Sequence, residues 1–133
     1  MKKISQKELN EILESHELWL RGEGGKCADL SNVDLRFIDL RYAKLRYADL
    51  SYADLRGADL SHADLRYGDL SNANLKFADL RHADLRHADL RHADLTNANL
   101  AYADLTYTDL SDADLTNADS KHTKTNNYTI GLW

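Results

Sequence analysis

Leucine stands at every fifth position from Leu30 to Leu115, eighteen times without a gap. Two residues before each leucine lies a small or modest apolar group: Ala28, Val33, Ile38, Ala43 and onward to Ala113, with Gly68 and Thr108 as exceptions. Asp precedes nearly every leucine, and Lys44, Asn74 and Asn99 replace it. The two remaining positions are mostly polar or aromatic. Neither common periodicity accommodates this. A helix would spread Leu80, Leu85, Leu90 and Leu95 around its surface, and a strand would send them alternately in and out. A sustained internal repeat instead implies a stacked fold, in which each unit buries its apolar side only against its neighbours.

The pentapeptides "ADLSY", "ADLRG", "ADLSH" and "ANLKF" resemble the A(D/N)LXX motif of the pentapeptide-repeat family, over residues 27 to 119. The resemblance implies an all-β solenoid, a right-handed quadrilateral β-helix in which four pentapeptides make one square coil. Leucine and the residue two before it would then point inward and the other three outward. With stacked strands roughly 4.8 Å apart, the repeats make about four and a half coils, a rod of ~20–25 Å. Asp and Asn before leucine suit the turns, because their short side chains accept nearby backbone N–H groups.

The ends read differently. Residues 1–26 are expected to form a capping helix and a Gly-rich turn, with Ser5 and Glu8 as a capping box and Ile4 and Leu9 as its hydrophobic staple. Leu9, Ile12, Leu13, Trp19 and Leu20 share one helical stripe, with His16 on or near it as a packed histidine, and Gly22 stops the helix. In residues 120–133 Ser120 replaces the expected leucine. Tyr128, Ile130 and Leu132 then alternate as in a short strand, followed by Trp133. This tail either covers the last coil or pairs with its copy. Several members of the family dimerise through this end, so the resemblance favours a homodimer.

A twenty-residue coil places chemistry twenty letters apart in one column. Tyr47, Tyr67, His87 and Tyr107 form such a column, and His62 and His82 stand between Tyr42 and Tyr102, with His122 continuing if the register survives. The others run Asn32, Tyr52, Asn72, His92, Asp112 and Phe37, Gly57, Phe77, Asn97, Asn117. His82, His87 and His92 therefore point in three directions and form no metal site. Among the bases, Arg36, Arg56 and Lys76 make one column and Arg46, Arg66 and Arg86 another.

Net charge is −5, which argues against a generally basic nucleic-acid binder. Residues 95 to 120 hold Asp104, Asp109, Asp112, Asp114 and Asp119 and no base, so that end of the rod reads as acidic. The single Cys27 has no disulfide or thiolate partner and reads as a packing residue. No apolar run reaches a membrane span, the N-terminus lacks a signal-peptide core, and a cytoplasmic protein is expected.

No catalytic motif, metal site or cofactor site is present in the pattern, and a convex surface does not suit catalysis. The sequence therefore predicts a non-enzymatic protein-interaction module. Its candidate surface is Tyr47, Tyr67, His87, Tyr107, Arg46, Arg66, Arg86, Asp104, Asp109 and Asp114, with Tyr128, Ile130, Leu132 and Trp133 as the dimer or cap segment. Two alternatives stand beside it. Acidic members of the family resemble DNA and engage type II topoisomerases, which suggests a DNA mimic acting on such a protein or on a defence nuclease. The arginine columns with their aromatics suggest instead a direct nucleic-acid binder.

Overall fold

The computed structural model describes residues 1–131. Strand β1 (Lys2–Lys3) is followed by helix α1 (Gln6–Leu20) and strand β2 (Val33–Asp34), and from Ala28 onward the chain winds as a β-solenoid. Parallel bridges join each pre-leucine residue to the one twenty residues on, from Asp29↔Asp49 to Asp104↔Lys124. Four pentapeptides thus complete one coil. Leu30 through Leu110 are essentially inaccessible to solvent, and the alanines two before them line the same core.

The five backbone N–H groups of one pentapeptide explain why this motif repeats. Leu60 donates to Asp79 O in the next coil at 2.7 Å, and His62 donates to Arg81 O at 3.0 Å. Ala63 closes a turn onto Leu60 O at 3.1 Å, and Asp64 donates down to Ala43 O at 2.9 Å. The fifth, on Ser61, donates to Oδ1 of Asp59 at 3.0 Å. Every N–H is satisfied, as a buried backbone requires. Leucine fills the core, and Asp supplies the acceptor that the ladder lacks.

Each repeat turn from residue 30 to residue 123 has a left-handed third residue. Eighteen non-glycine residues, Asn32 through His122, hold φ between 57° and 67°, the type II pattern. This position costs an L-residue about 1–2 kcal/mol, and here it carries Tyr, His and Phe as well as Asn.

The N-terminal segment satisfies the open edge of the first coil on three sides. Lys2–Lys3 pairs with Val33–Asp34 in parallel. Gln6 donates to Asp39 O at 3.3 Å and accepts from its N–H at 3.4 Å. His16, fully buried, accepts the Ala28 N–H on Nδ1 at 2.9 Å and places Nε2 2.9 Å from the Arg46 carbonyl. Helix α1 begins at a capping box of Ser5 and Glu8. It ends where Glu23 donates to Leu18 O and Gly22 to Trp19 O, a Schellman closure with Gly22 at φ 70°. Trp19 is 39% exposed, so it lies at the margin of the helix's buried stripe.

At the other end the ladder runs past residue 119. The tail expected to alternate as a short strand meets the last coil at Ile130, out of the twenty-residue register. Ile130 bridges Asp109 in parallel, donates to Thr108 O at 3.0 Å and accepts from Leu110 N–H at 2.7 Å. The reason is a one-residue insertion: Tyr107 sits under Tyr128, twenty-one residues on rather than twenty. Thr108 and Thr129 take inner positions, and each buried hydroxyl donates to a leucine carbonyl below, Leu85 and Leu105, at 2.6 Å. Ala113, Leu115 and Ala118 are only partly buried, so the core opens at this end. Leu132 and Trp133 lie outside the described residues.

Candidate interaction surface

The outward residues form two ring ladders. Tyr42, His62, His82, Tyr102 and His122 stack with centroids 4.7–5.0 Å apart and planes within 19°. Tyr47, Tyr67, His87, Tyr107 and Tyr128 stack at 4.5–5.3 Å, and Trp19 meets Tyr47 edge-on at 6.3 Å. An aromatic contact contributes ~0.5–1.5 kcal/mol beyond burial, comparable with the cost of the left-handed turns that hold the rings from Tyr42 to His122. The ladders therefore stabilise the turns that display them.

Arginine and aspartate pair within each repeat. In Arg36, Arg41, Arg56, Arg66, Arg81, Arg86 and Arg91, Nε and Nη2 both meet the carboxylate two residues earlier; the Arg36–Asp34 distances are 2.9 Å for each. These bonds, led by the side-chain contact, hold Asp34 down at about 2 and lower Asp39, Asp54, Asp79 and Asp89. Several guanidinium groups also approach the carboxylate of the next coil, as Arg66 does Asp84 at 3.6 Å and Arg86 does Asp104 at 3.7 Å. Stacked arginines therefore sit in an alternating lattice, and their mutual repulsion is offset.

Charge divides by side. The Asp29 side carries Asp29, Asp49, Asp69, Asp89, Asp109 and Asp112 against Arg91 alone. The Lys44 side is the reverse, with Lys44, Arg46, Arg66, Arg86 and Lys124 against Asp64, Asp84 and Asp104. On the acidic side Ser31, Ser51, Ser71 and Ser111 donate to Oδ1 of Asp29, Asp49, Asp69 and Asp109 at 2.5–2.6 Å. Among the described residues those four carboxylates make no ion pair.

The expected surface residues are thus distributed rather than gathered. Tyr47, Tyr67, His87 and Tyr107 share one ladder, beside Arg46, Arg66 and Arg86. Asp104, Asp109 and Asp114 occupy three different sides. At spacing twenty the aspartates, like the aromatics and arginines, form columns, among them the Asp29 column. Reading them along the chain suggests an acidic end. Tyr128 escapes the spacing because of the insertion, and Trp19 because it comes from the helix. Cys27 is half-buried, and burial followed by Asp49 and Asp29 pushes its thiol up, away from reactivity. Among the described residues no cluster of three or more His, Cys, Asp or Glu could hold a metal, and no helix is long and apolar enough to cross a membrane.

A family profile described as "Pentapeptide repeats" matches residues 28–66, 58–97 and 93–119. The chain belongs to the pentapeptide-repeat family. The pentapeptide repeat protein Rfr23 from the cyanobacterium Cyanothece 51142 is similar at 26% identity, covering 92% of this chain and 98% of that one with a TM-score of 0.54. HetL from Nostoc sp. strain PCC 7120, a pentapeptide repeat protein involved in heterocyst differentiation regulation, shares 33% identity over 74% of this chain and 58% of its own, with a TM-score of 0.44. A pentapeptide repeat protein from the thylakoid lumen of Arabidopsis thaliana shares 28% identity over 81% of this chain and 70% of its own, with a TM-score of 0.36. No match is found among curated proteins.

Proposed function

We propose that this pentapeptide-repeat protein is a docking module whose Asp29 side imitates the charge of a nucleic-acid strand and occupies a basic DNA-binding protein. A type II topoisomerase or a defence nuclease has the required chemistry. The observation that carries the reading is the column of Asp29, Asp49, Asp69 and Asp109, held by serine hydroxyls and without a cationic neighbour in an ion pair. Asp29, Asp49 and Asp69 stand one per coil, one charge per ~4.8 Å, close to the one per ~3.4 Å of a DNA strand, and Arg91 interrupts the column at Asp89 before Asp109. The other sides pair most of their carboxylates with arginine. The broader reading, a protein-interaction surface of Tyr, His and Arg columns, applies to those sides, since Tyr and Arg dominate binding hot spots. A cytoplasmic setting goes with either partner.

The half-open core at Ala113, Leu115 and Ala118 favours a homodimer joined at the C-terminal ends, which would lengthen the acidic column. The docking test is competition. The chain should displace duplex DNA from a type II topoisomerase while failing to bind DNA itself, and Asp49→Asn with Asp69→Asn should abolish the displacement. Salt-dependent binding of DNA by the chain would favour the direct nucleic-acid reading. Displacement that survives both substitutions would reject the acidic side as the contact.

A further inference from the structure

Lys44 breaks the repeat at a position where the break has chemical consequences. In seven of the eight coil arginines the carboxylate two residues earlier accepts from the arginine backbone N–H, Nε and Nη2 together, as Asp34 does for Arg36 at 3.2, 2.9 and 2.9 Å. At the eighth, Arg46, that carboxylate is replaced by lysine. Lys44 turns to Glu17 of α1, 2.8 Å away. Among the described residues neither the Arg46 backbone N–H nor its Nε has an acceptor, and Nε is buried. A buried donor without a partner costs ~1–3 kcal/mol. The backbone carbonyl of Arg46 is meanwhile fixed by His16, so the residue is anchored while these donors lack partners.

Arg46 lines an open cleft of about 550 Å³ between α1 and the Lys44 side. Its charged lining is Arg21, Lys44, Arg46 and Arg66 against Glu17 and Asp64, an excess of two positive charges in a chain whose net charge is −5. The volume lies within the range of small-molecule sites. A guanidinium with no carboxylate partner among the described residues matches a two-oxygen anion, and the charge excess matches a dianion.

We propose that this cleft binds a small molecule through a phosphate group, whose oxygens take the place of the missing carboxylate beside Arg46. The site lies away from the acidic Asp29 column and does not depend on its role.

The experiment titrates the full ¹⁵N-labelled chain with inorganic phosphate at neutral pH and constant ionic strength, following arginine Nε–H resonances. Phosphate should shift Arg46 saturably and leave Arg36, Arg81 and Arg91 unmoved, and acetate should bind about tenfold more weakly or worse. Lys44→Asp restores the repeat's own partner to Arg46 and should abolish the shift without lowering Tm. Arg46→Ala, followed by calorimetry, should abolish binding and decides the matter if Lys44→Asp does not fold. Equal responses to phosphate and acetate, shifts shared by all coil arginines, or wild-type binding by the folded variants would each overturn the assignment.

Discussion

His16 joins the helix to the solenoid by accepting the Ala28 N–H on Nδ1 at 2.9 Å, with Nε2 donating to the Arg46 carbonyl. This arrangement requires the neutral ring, since a proton on Nδ1 would face another donor. Burial first lowers its pKa, with the Arg46 bond acting in the opposite direction. His16→Ala leaves a buried N–H and carbonyl without partners and should cost about 2–4 kcal/mol. The folded state also takes up a proton at lower pH than the unfolded chain does. The associated stability is present above ~6.5 and declines as pH falls from there toward the lowered folded value. Thermal melts across that interval should show the decline in the native chain and not in the variant. Equal slopes would mean that His16 does not carry the linkage.

Acid should act again at lower pH through the arginine-bound aspartates. Hydrogen bonds from Arg36 hold Asp34 at about 2, and the corresponding partners lower Asp39, Asp54, Asp79 and Asp89. These groups bind fewer protons folded than unfolded, so their stabilisation is present above ~3.9 and lost as pH falls through the folded values, for Asp34 near 2. Tm should fall steadily in that window. Arg36→Gln should shallow the fall, and a flat profile in the native chain would remove these pairs from its stability.

Much of this architecture is legible in the sequence because a period of five allows few alternatives. The leucine core, the alanine beside it and the ladders of Tyr47 and Tyr42 all follow from stacking at twenty. The purpose of Asp is only partly legible. Its fit to turns is a local preference, whereas its role as acceptor for the fifth N–H emerges once the other four are assigned. The left-handed position was marked by Gly57 and by Asn32, Asn72, Asn97 and Asn117, yet Tyr and His outnumber them, and within the two ladders ring stacking offsets the strain. Tyr128 was obscured by a single inserted residue, to which a strict period is blind. Lys44 was visible as an exception, but its meaning depended on knowing what the aspartate it replaces would have held.

The inside and outside assignments can be separated by two substitutions six residues apart. Leu80 is fully buried, and Leu80→Arg places an unpaired charge in the leucine core, which should cost more than about 4 kcal/mol and abolish folding. Arg86 is a partly exposed surface partner of Asp84, and Arg86→Ala should cost no more than about 1 kcal/mol. Similar small losses in thermal melts would contradict the packing described.

Gly68 occupies an inner position that nearly every other repeat gives to alanine, and its φ is not left-handed. A methyl group there would lie 3.0 Å from Leu65 O and 3.6 Å from Leu70 Cδ1. Neighbouring repeats place alanine in the same closed turn, as Ala63 does on Leu60 and Ala73 on Leu70. Gly68→Ala should therefore stabilise by about 0.4–1 kcal/mol, mainly by restricting the unfolded chain. A lower Tm would show that the Leu65 carbonyl cannot yield.

The C-terminal segment serves the ladder of its own chain, and removing it tests what else it does. Thr129 and Ile130 satisfy Leu105 O, Thr108 O and Leu110 N–H. Deleting residues 125–133 leaves those groups to solvent and uncovers the Tyr107 ring, so Tm should fall. If the chain dimerises through this end, solution mass should also drop from dimer to monomer. Ala113→Asp, placed at the half-open core and away from the tail's bonds, separates the two effects. In a dimer it should reduce the mass while the tail ladder remains intact. A native chain that is already monomeric, with only Tm responding to the deletion, would confine the tail to capping.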